Sequence, residues 1–277
     1  VGSSSNLTLQ LQRTWSNGMY GSIGYNYLDS KDASSIEAEI SSDAYDRNPA
    51  YGNVNRAVAA PSIYGNQHRV VGYFSKKFSY GGAERNRFGT TLGLFFQYAR
   101  GGRFSYTYSG DINNDGSANN DLMYIPTDAE IDQMQFVGDV AGITAQRSAL
   151  KAFIAQDEYM SERRGEVMEK YGILSPWYNN WDLRILQDFN HRAGSRTNTI
   201  QLSLDILNVG NLINNGWGVR QIPTTTQPVG VTSFDPATGN PLPAPIYTFD
   251  TSIRESFVQD FSLLSRWQMQ VGLRYIF

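Results

Sequence analysis

The last thirteen residues constrain this chain more than any other stretch. Ser265 to Phe277 reads SRWQMQVGLRYIF, and its odd positions, Trp267, Met269, Val271, Leu273, Tyr275 and Phe277, are all apolar or aromatic. The even positions, Arg266, Gln268, Gln270, Gly272, Arg274 and Ile276, are polar or small apart from the isoleucine. Period-two alternation sends successive side chains to opposite sides of an extended backbone, so the stretch predicts a strand with one dry and one wet face. Strands of globular domains usually run about 5–6 residues, whereas one crossing a bilayer at a tilt needs about 9–11. The length here fits the second case. Trp267 at one end of the dry face, and Tyr275 with Phe277 at the other, lie where aromatic girdles flank a transmembrane barrel. The competing reading is an edge strand of a soluble sandwich.

The same alternation recurs upstream. Ser5–Trp15 sets Leu7, Leu9 and Leu11 against Asn6, Thr8, Gln10 and Gln12, and after the turn signal Ser16-Asn17-Gly18 the run Met19–Leu28 returns to form a hairpin. A third strand is expected over Arg69–Phe78, although Lys76 and Lys77 spoil one register or the other. Arg87–Tyr98 places Phe88, Leu92, Leu94, Phe96 and Tyr98 opposite Gly89, Thr91, Gly93 and Gln97, and its pattern is expected to run on through Arg103–Tyr108. Trp181–Phe189 sets Trp181, Leu183, Ile185 and Phe189 outward against Asp182, Arg184 and Asp188. Thr199–Leu207 does the same with Ile200, Leu202, Leu204 and Ile206 against Gln201, Ser203 and Asp205.

Connections between these runs alternate strictly: short at 16–18, 79–86 and 190–198, long at 29–67, 109–177 and 208–262. Short turns on one side and long loops on the other is the pattern of bacterial outer-membrane barrels, with the short turns and the C-terminus periplasmic and the long loops extracellular. The expected fold is therefore all-β: about seven antiparallel strands of a larger transmembrane β-barrel, with residues 1–277 forming its C-terminal part. Seven strands do not close as an even-numbered barrel, and open edges are not tolerated in lipid, so the rest of the barrel is expected from the same protein.

Composition agrees. Only 18% of the residues are charged, aromatics reach 13% with seventeen Tyr, and there are twenty-six Gly. Mean hydropathy is −0.40, as it is for any wall in which every second residue faces water. No run approaches the ~20 apolar residues of a membrane helix. The absence of Cys excludes a disulfide framework, and a net charge of −3 gives no electrostatic case for nucleic acid. Val1-Gly-Ser-Ser-Ser-Asn carries no export signal, so this chain is expected to begin partway through a longer one.

Catalytic patterns are missing from the sequence. The two histidines, His68 and His191, fall at opposite ends of the expected wall; no nucleophile elbow or phosphate-cradling loop occurs, and no enzyme is expected. The charges Asp182, Arg184, Asp188, Asp205 and Arg274 are expected to pair across a hydrated lumen. One motif has ligand spacing: Asp111, Asn113, Asp115 and then Gly116, with Ser117 and Asp121 following, matches the start of an EF-hand loop. These oxygens make a candidate Ca2+ site, although Leu122 stands where a bidentate Glu belongs; the alternative is a surface loop rich in Asx turns. Within the same insertion Ala145–Tyr171 is expected to be helical, Leu150, Phe153 and Ile154 forming a stripe and Ser161 capping a second segment, Glu162–Lys170, that Gly165 interrupts.

Five segments carry a resemblance: DINNDGSANNDLMYIP (111–126), ALKAFIAQDEYMSERRG (149–165), SPWYNNWDLRILQDF (175–189), LDILNVGNLINNGWG (204–218) and the closing strand 266–277. In this order they resemble the C-terminal part of TonB-dependent outer-membrane transporters, specifically the Oar-like branch that carries a carboxypeptidase-regulatory-like domain. The resemblance implies a barrel of about 22 strands around a plug, import of a substrate energised through the TonB complex, and an assembly signal at the terminal aromatics Tyr275 and Phe277. Neither plug nor TonB-contacting segment lies in these residues. The implied partners are the rest of the barrel, its plug, TonB and the lipid bilayer. The alternative within the same family is a scaffold that docks a surface lipoprotein or assists outer-membrane protein assembly.

Overall fold

Nearly half of the chain is strand (49%) and helix is confined to the connections (16%). The computed structural model describes residues 2–277 except 36–37, 65–66, 82–86, 194–195 and 236. Seven long strands follow the alternating segments: β1 Ser3–Thr14, β2 Met19–Asp32, β3 His68–Tyr80, β4 Phe88–Arg100, β5 Trp177–Ala193, β6 Arg196–Leu207 and β7 Gln268–Ile276. Every neighbour in the sheet is a neighbour in this sequence of strands, each pair is antiparallel, and a short piece at Ala60–Pro61 pairs with the end of β2 as an eighth strand. β1 and β7 stand at the two ends of the order.

The register turns the alternation of each strand into rows across the sheet. On one face Gly21, Phe74, Leu94, Leu183, Ile206 and Met269 lie side by side, and the next row is Met19, Lys76, Leu92, Ile185, Leu204 and Val271. The opposite face carries Tyr20, Ser75, Gly93, Arg184, Asp205 and Gln270, then Ser79, Gly89, Asp188, Gln201 and Arg274. A one-residue slip in any pair would mix these faces. The doubtful third strand settles with Lys76 on the apolar face; its stem lies among apolar neighbours while its ammonium reaches the Asn17 carbonyl in the first turn. Gly72 is required by a close approach, since a Cβ there would sit 2.0 Å from the Phe96 ring.

Among the described residues no second layer covers most of the apolar face. Leu92, Leu202, Met269, Val271 and Leu273 are all exposed, Val271 and Leu273 at 74%. Burial is concentrated elsewhere. The hydrophobic core, with Tyr106, Met123, Ile125, Leu150, Phe153, Ile154 and Met160 essentially inaccessible, belongs to a body built from the long connections. Each such side chain contributes about 1.5–3 kcal/mol relative to exposure.

That body joins segments far apart in sequence. Tyr108–Ser109 runs parallel to Val229–Phe234, which pairs with Pro241–Phe249, which in turn lies parallel to Gln135–Phe136. Among the described residues five α-helices decorate the connections: α1 Ser41–Asp46, α2 Asp128–Gln133, α3 Val140–Gln156, α4 Glu158–Ser161 and α5 Val209–Ile213. Thr127 and Glu130 close a reciprocal capping box on α2, and Asp139 caps α3, whose Ala149, Leu150, Phe153 and Ile154 share the buried side.

The structure corrects three sequence expectations. The fourth strand ends at Arg100; Arg103–Phe104 pairs instead with Ile173–Leu174, because the buried ring of Tyr106 and Tyr108 belong to the core of the body. Ser161 ends a helix rather than starting one: Asp157 caps α4, and Glu162–Lys170 is non-helical, with Gly165 at φ +87° and a short pairing at Glu166–Val167. Residues 208–262 are also not merely a loop, since they supply two strands of the body. The turn at 16–18 is as expected, with Gly18 at φ +79° and the Asn17 side chain accepting from the Met19 N–H. Parts of the other short turns, 82–86 and 194–195, lie outside the described residues.

Candidate functional site

Of the charges expected to pair on the polar face, two pair with each other. Arg184 and Asp205, directly opposite in β5 and β6, form an ion pair. Asp188 accepts from the Gln201 amide at 2.7 Å and lies 3.9 Å from the Lys77 ammonium. Nearer the long connections, Gln97 accepts from Arg69 at 3.1 Å and donates to the Tyr178 hydroxyl at 2.7 Å. The exposed members of these pairs contribute little stability each; their effect is a hydrated surface without a concentration of one charge sign. Arg274 stands opposite Gln201 in the row that holds Asp188.

The apolar face treats its polar atoms differently. Thr90, Gln187 and the Tyr80 hydroxyl form a closed trio, with Thr90 2.6 Å and Tyr80 3.2 Å from the Gln187 carbonyl oxygen. Pairing them with one another removes the cost of leaving polar groups unsatisfied away from water. Aromatics cluster at both ends of this face. At the short-turn end Tyr80, Phe88 and Phe189 touch in sequence, and Tyr275 stacks on Phe277 at 5.8 Å. At the other end Tyr98 stacks on Trp177 at 4.7 Å, beside Tyr25, Tyr27 and His68. His68 shares a hydrogen bond with the Tyr25 hydroxyl, whereas His191 pairs with Asn198 at the short-turn end, so the two histidines share no site.

The loop Asp111–Asp121 brings most of the expected ligands together. Both oxygens of Asp111 accept backbone N–H bonds, from Asn113, Asp115 and Gly116, and Asp115 accepts from Ser117. Gly116 makes the turn at φ +90°. The Asn113 amide nitrogen lies 2.6 Å from Asp121 and 3.4 Å from Asp115, so a nitrogen occupies the point where these carboxylates converge. Burial, reinforced by Asp115 and Asp111, pushes the Asp121 carboxyl up to about 6 against the pull of the Ile112 N–H. Ser117 turns its hydroxyl to the Asn119 N–H, and Leu122 is buried in the core. Among the described residues no group of three or more His, Cys, Asp or Glu side chains is placed to hold a metal ion. The first half of the loop thus winds around the Asp111 carboxylate, and the Asn113 amide nitrogen faces Asp115 and Asp121.

Two features escaped the sequence. The first insertion covers this loop, with the Tyr45 hydroxyl donating to the Asp115 carbonyl and Ala50 exchanging backbone bonds with Asn120 and Leu122. A cleft of about 460 Å³ also opens at the bend between α3 and α4, bordered by Arg100, Glu158, Tyr159, Arg163 and Phe257. The cleft had no local signal, its walls being up to 157 residues apart along the chain, from Arg100 to Phe257. Comparison with known proteins gives no match of any kind: no family model, no curated protein and no solved structure matches the chain.

Proposed function

We propose that this chain is the C-terminal wall section of a TonB-dependent transporter barrel in a bacterial outer membrane, with its C-terminus periplasmic and its three long connections on the cell exterior. The observation that carries the reading is the uncovered apolar face, continuous over seven strands and rimmed by aromatics at both ends, set against a paired polar face on the other side. A soluble sheet buries such a face against another layer; a barrel wall turns it to lipid and its polar face to a water-filled lumen. The free edges of β1 and β7 then pair with further strands of the same barrel, since unpaired edges do not persist in hydrocarbon. Substrate passes through the lumen without covalent change, and the TonB complex acts through a plug outside these residues.

A specific observation also favours the scaffold reading. The three long connections lock into one body with its own core, a preformed surface suited to a surface lipoprotein. Isolation of the protein from outer membranes in mild detergent separates the readings. Retention of a purified periplasmic TonB domain supports transport, a stoichiometric surface lipoprotein supports the scaffold, and recovery of the protein in the soluble fraction defeats both.

A further inference from the structure

Beyond the end of β6 the chain folds into a small hairpin, Asn208–Gly218, that contains α5. Its interior is polar and, apart from the Asn208 side-chain oxygen, paired. The Asn208 amide donates to the Gly218 carbonyl at 2.9 Å, and its own N–H is held by Asp182 at 2.8 Å. Asn211 donates to the carbonyls of Asn215 and Trp217 and accepts from the Trp267 N–H. With both asparagines buried, the apolar residues point away: Leu212, Ile213 and Trp217 are exposed, Ile213 at 72%. The hairpin overhangs the apolar face of the sheet and encloses a groove of about 450 Å³ walled by Phe96, Tyr98, Trp181, Gly210 and Trp217.

We propose, on the membrane reading given above, that this groove holds a hydrocarbon chain of an outer-leaflet lipid. Three observations select that occupant. The groove is continuous with the apolar belt, because the Phe96–Trp181 pair, stacked at 5.0 Å, directly adjoins the Leu94–Leu183 pair. No charged side chain lines it; Gln97 and Asn179 are its only amide residues. The backbone groups of the strands beneath are engaged in the sheet ladder. A peptide lying there would leave its own N–H and C=O groups unpaired, whereas an alkyl chain has none to satisfy. The hairpin then clamps one lipid at the outer rim while Trp217 sits at the depth favoured by interfacial tryptophan.

The test uses the whole protein folded into phosphatidylcholine vesicles doped with a phospholipid bearing a diazirine on one acyl chain. After irradiation, peptide mapping should find label at Phe96, Trp181 and Trp217 as well as at the belt residue Val271. Gly210→Leu should fill the groove, since a Cβ at Gly210 already lies 3.6 Å from the Trp217 Cβ. That variant should reduce labelling of Phe96 and Trp181 several-fold and leave Val271 unchanged. Gly210→Ala, which leaves the groove open, should label like the parent. Label at Val271 but not in the groove, or labelling of Phe96 indifferent to Gly210→Leu, overturns the lipid clamp while the membrane wall stands; a second copy or a partner protein covering the groove gives the first of these results. An unlabelled Val271 removes the membrane reading, and the clamp with it.

Discussion

Leu94 and Ser22 lie on opposite faces of the same sheet, and on the membrane reading a charge is costly on the first and mild on the second. Leu94 sits between Phe74 and Leu183 in the middle of the apolar rows, where the ammonium of Lys76 already has to reach away to a turn carbonyl. Leu94→Arg should therefore cost about 2–4 kcal/mol in a bilayer, the penalty for a mid-membrane cation on the lipid side. Ser22→Arg should be mild, because Ser22 shares its row with Tyr73 and Asp182 on the wet face. Thr91 is a poorer control, since Lys77 stands directly opposite. Urea unfolding in lipid vesicles measures the difference; equal losses would point to a two-sided soluble sheet. At the Asp111–Asp121 loop, millimolar calcium should raise the melting temperature of the body and leave the strand signal of the wall unaltered. Asp115→Asn should abolish that shift. Calorimetry with and without a chelator reads it, and no heat of binding at any calcium concentration would dispose of the site.

At the scale of elements, stability is lodged in two different places. The wall is held by ladder hydrogen bonds and register, while the body is held by buried side chains and a few polar ties. Asp157 is one such tie: it caps α4 through the Met160 N–H, accepts the Ser256 hydroxyl at 2.5 Å and lies 3.5 Å from the Tyr106 hydroxyl. Asp157→Ala removes the acceptor and leaves buried donors without it, each worth roughly 1–3 kcal/mol. Hydrogen exchange should accelerate across 104–177 and 229–257 while β1–β6 stay protected, and Ser256→Ala should show the same pattern more weakly. Uniform acceleration over sheet and body would mean they unfold as one unit. This division also explains what the sequence revealed. The wall strands were legible because water on one side imposes period two on every one of them, as in Leu202 and Leu204 against Gln201 and Ser203. The body was not, because pairings such as Tyr108 with Val229 join residues more than a hundred apart, and several of its strands are only two or three residues long. The candidate cation loop was legible in its first half, where Asp111, Asn113 and Asp115 act locally; the covering by Tyr45 and Gly52 is a long-range event.

At the scale of the whole molecule, the membrane reading turns the exposed aromatics of β7 toward lipid. Phe277 is 90% exposed and stacks on Tyr275, which is itself tied to Asn198 of β6 through its hydroxyl. One side of β7 pairs with β6 from Thr199 to Leu207, and the other side closes no pair with the described strands. In a barrel that second edge meets the first strand of the wall, and the terminal strand is the last to be available during closure. The resemblance drawn from the sequence adds that the terminal aromatic is read by the assembly machinery. Two contributions can then be separated. Burial of the Phe277 ring in lipid accounts for roughly 1.5–3 kcal/mol, a loss that any lipid-facing apolar residue shares. Recognition is confined to the end of the chain. Deleting Phe277 should therefore reduce the folded protein recovered from the outer membrane far more than Leu94→Ala, although Leu94→Ala removes comparable apolar contact in the finished wall. Quantifying both variants in purified outer membranes, alongside their unfolding in vesicles once refolded, distinguishes the effects. A Phe277 deletion that reaches the outer membrane at the parental level would confine the residue to ordinary burial, whereas poor yield combined with near-parental stability after refolding assigns it to assembly.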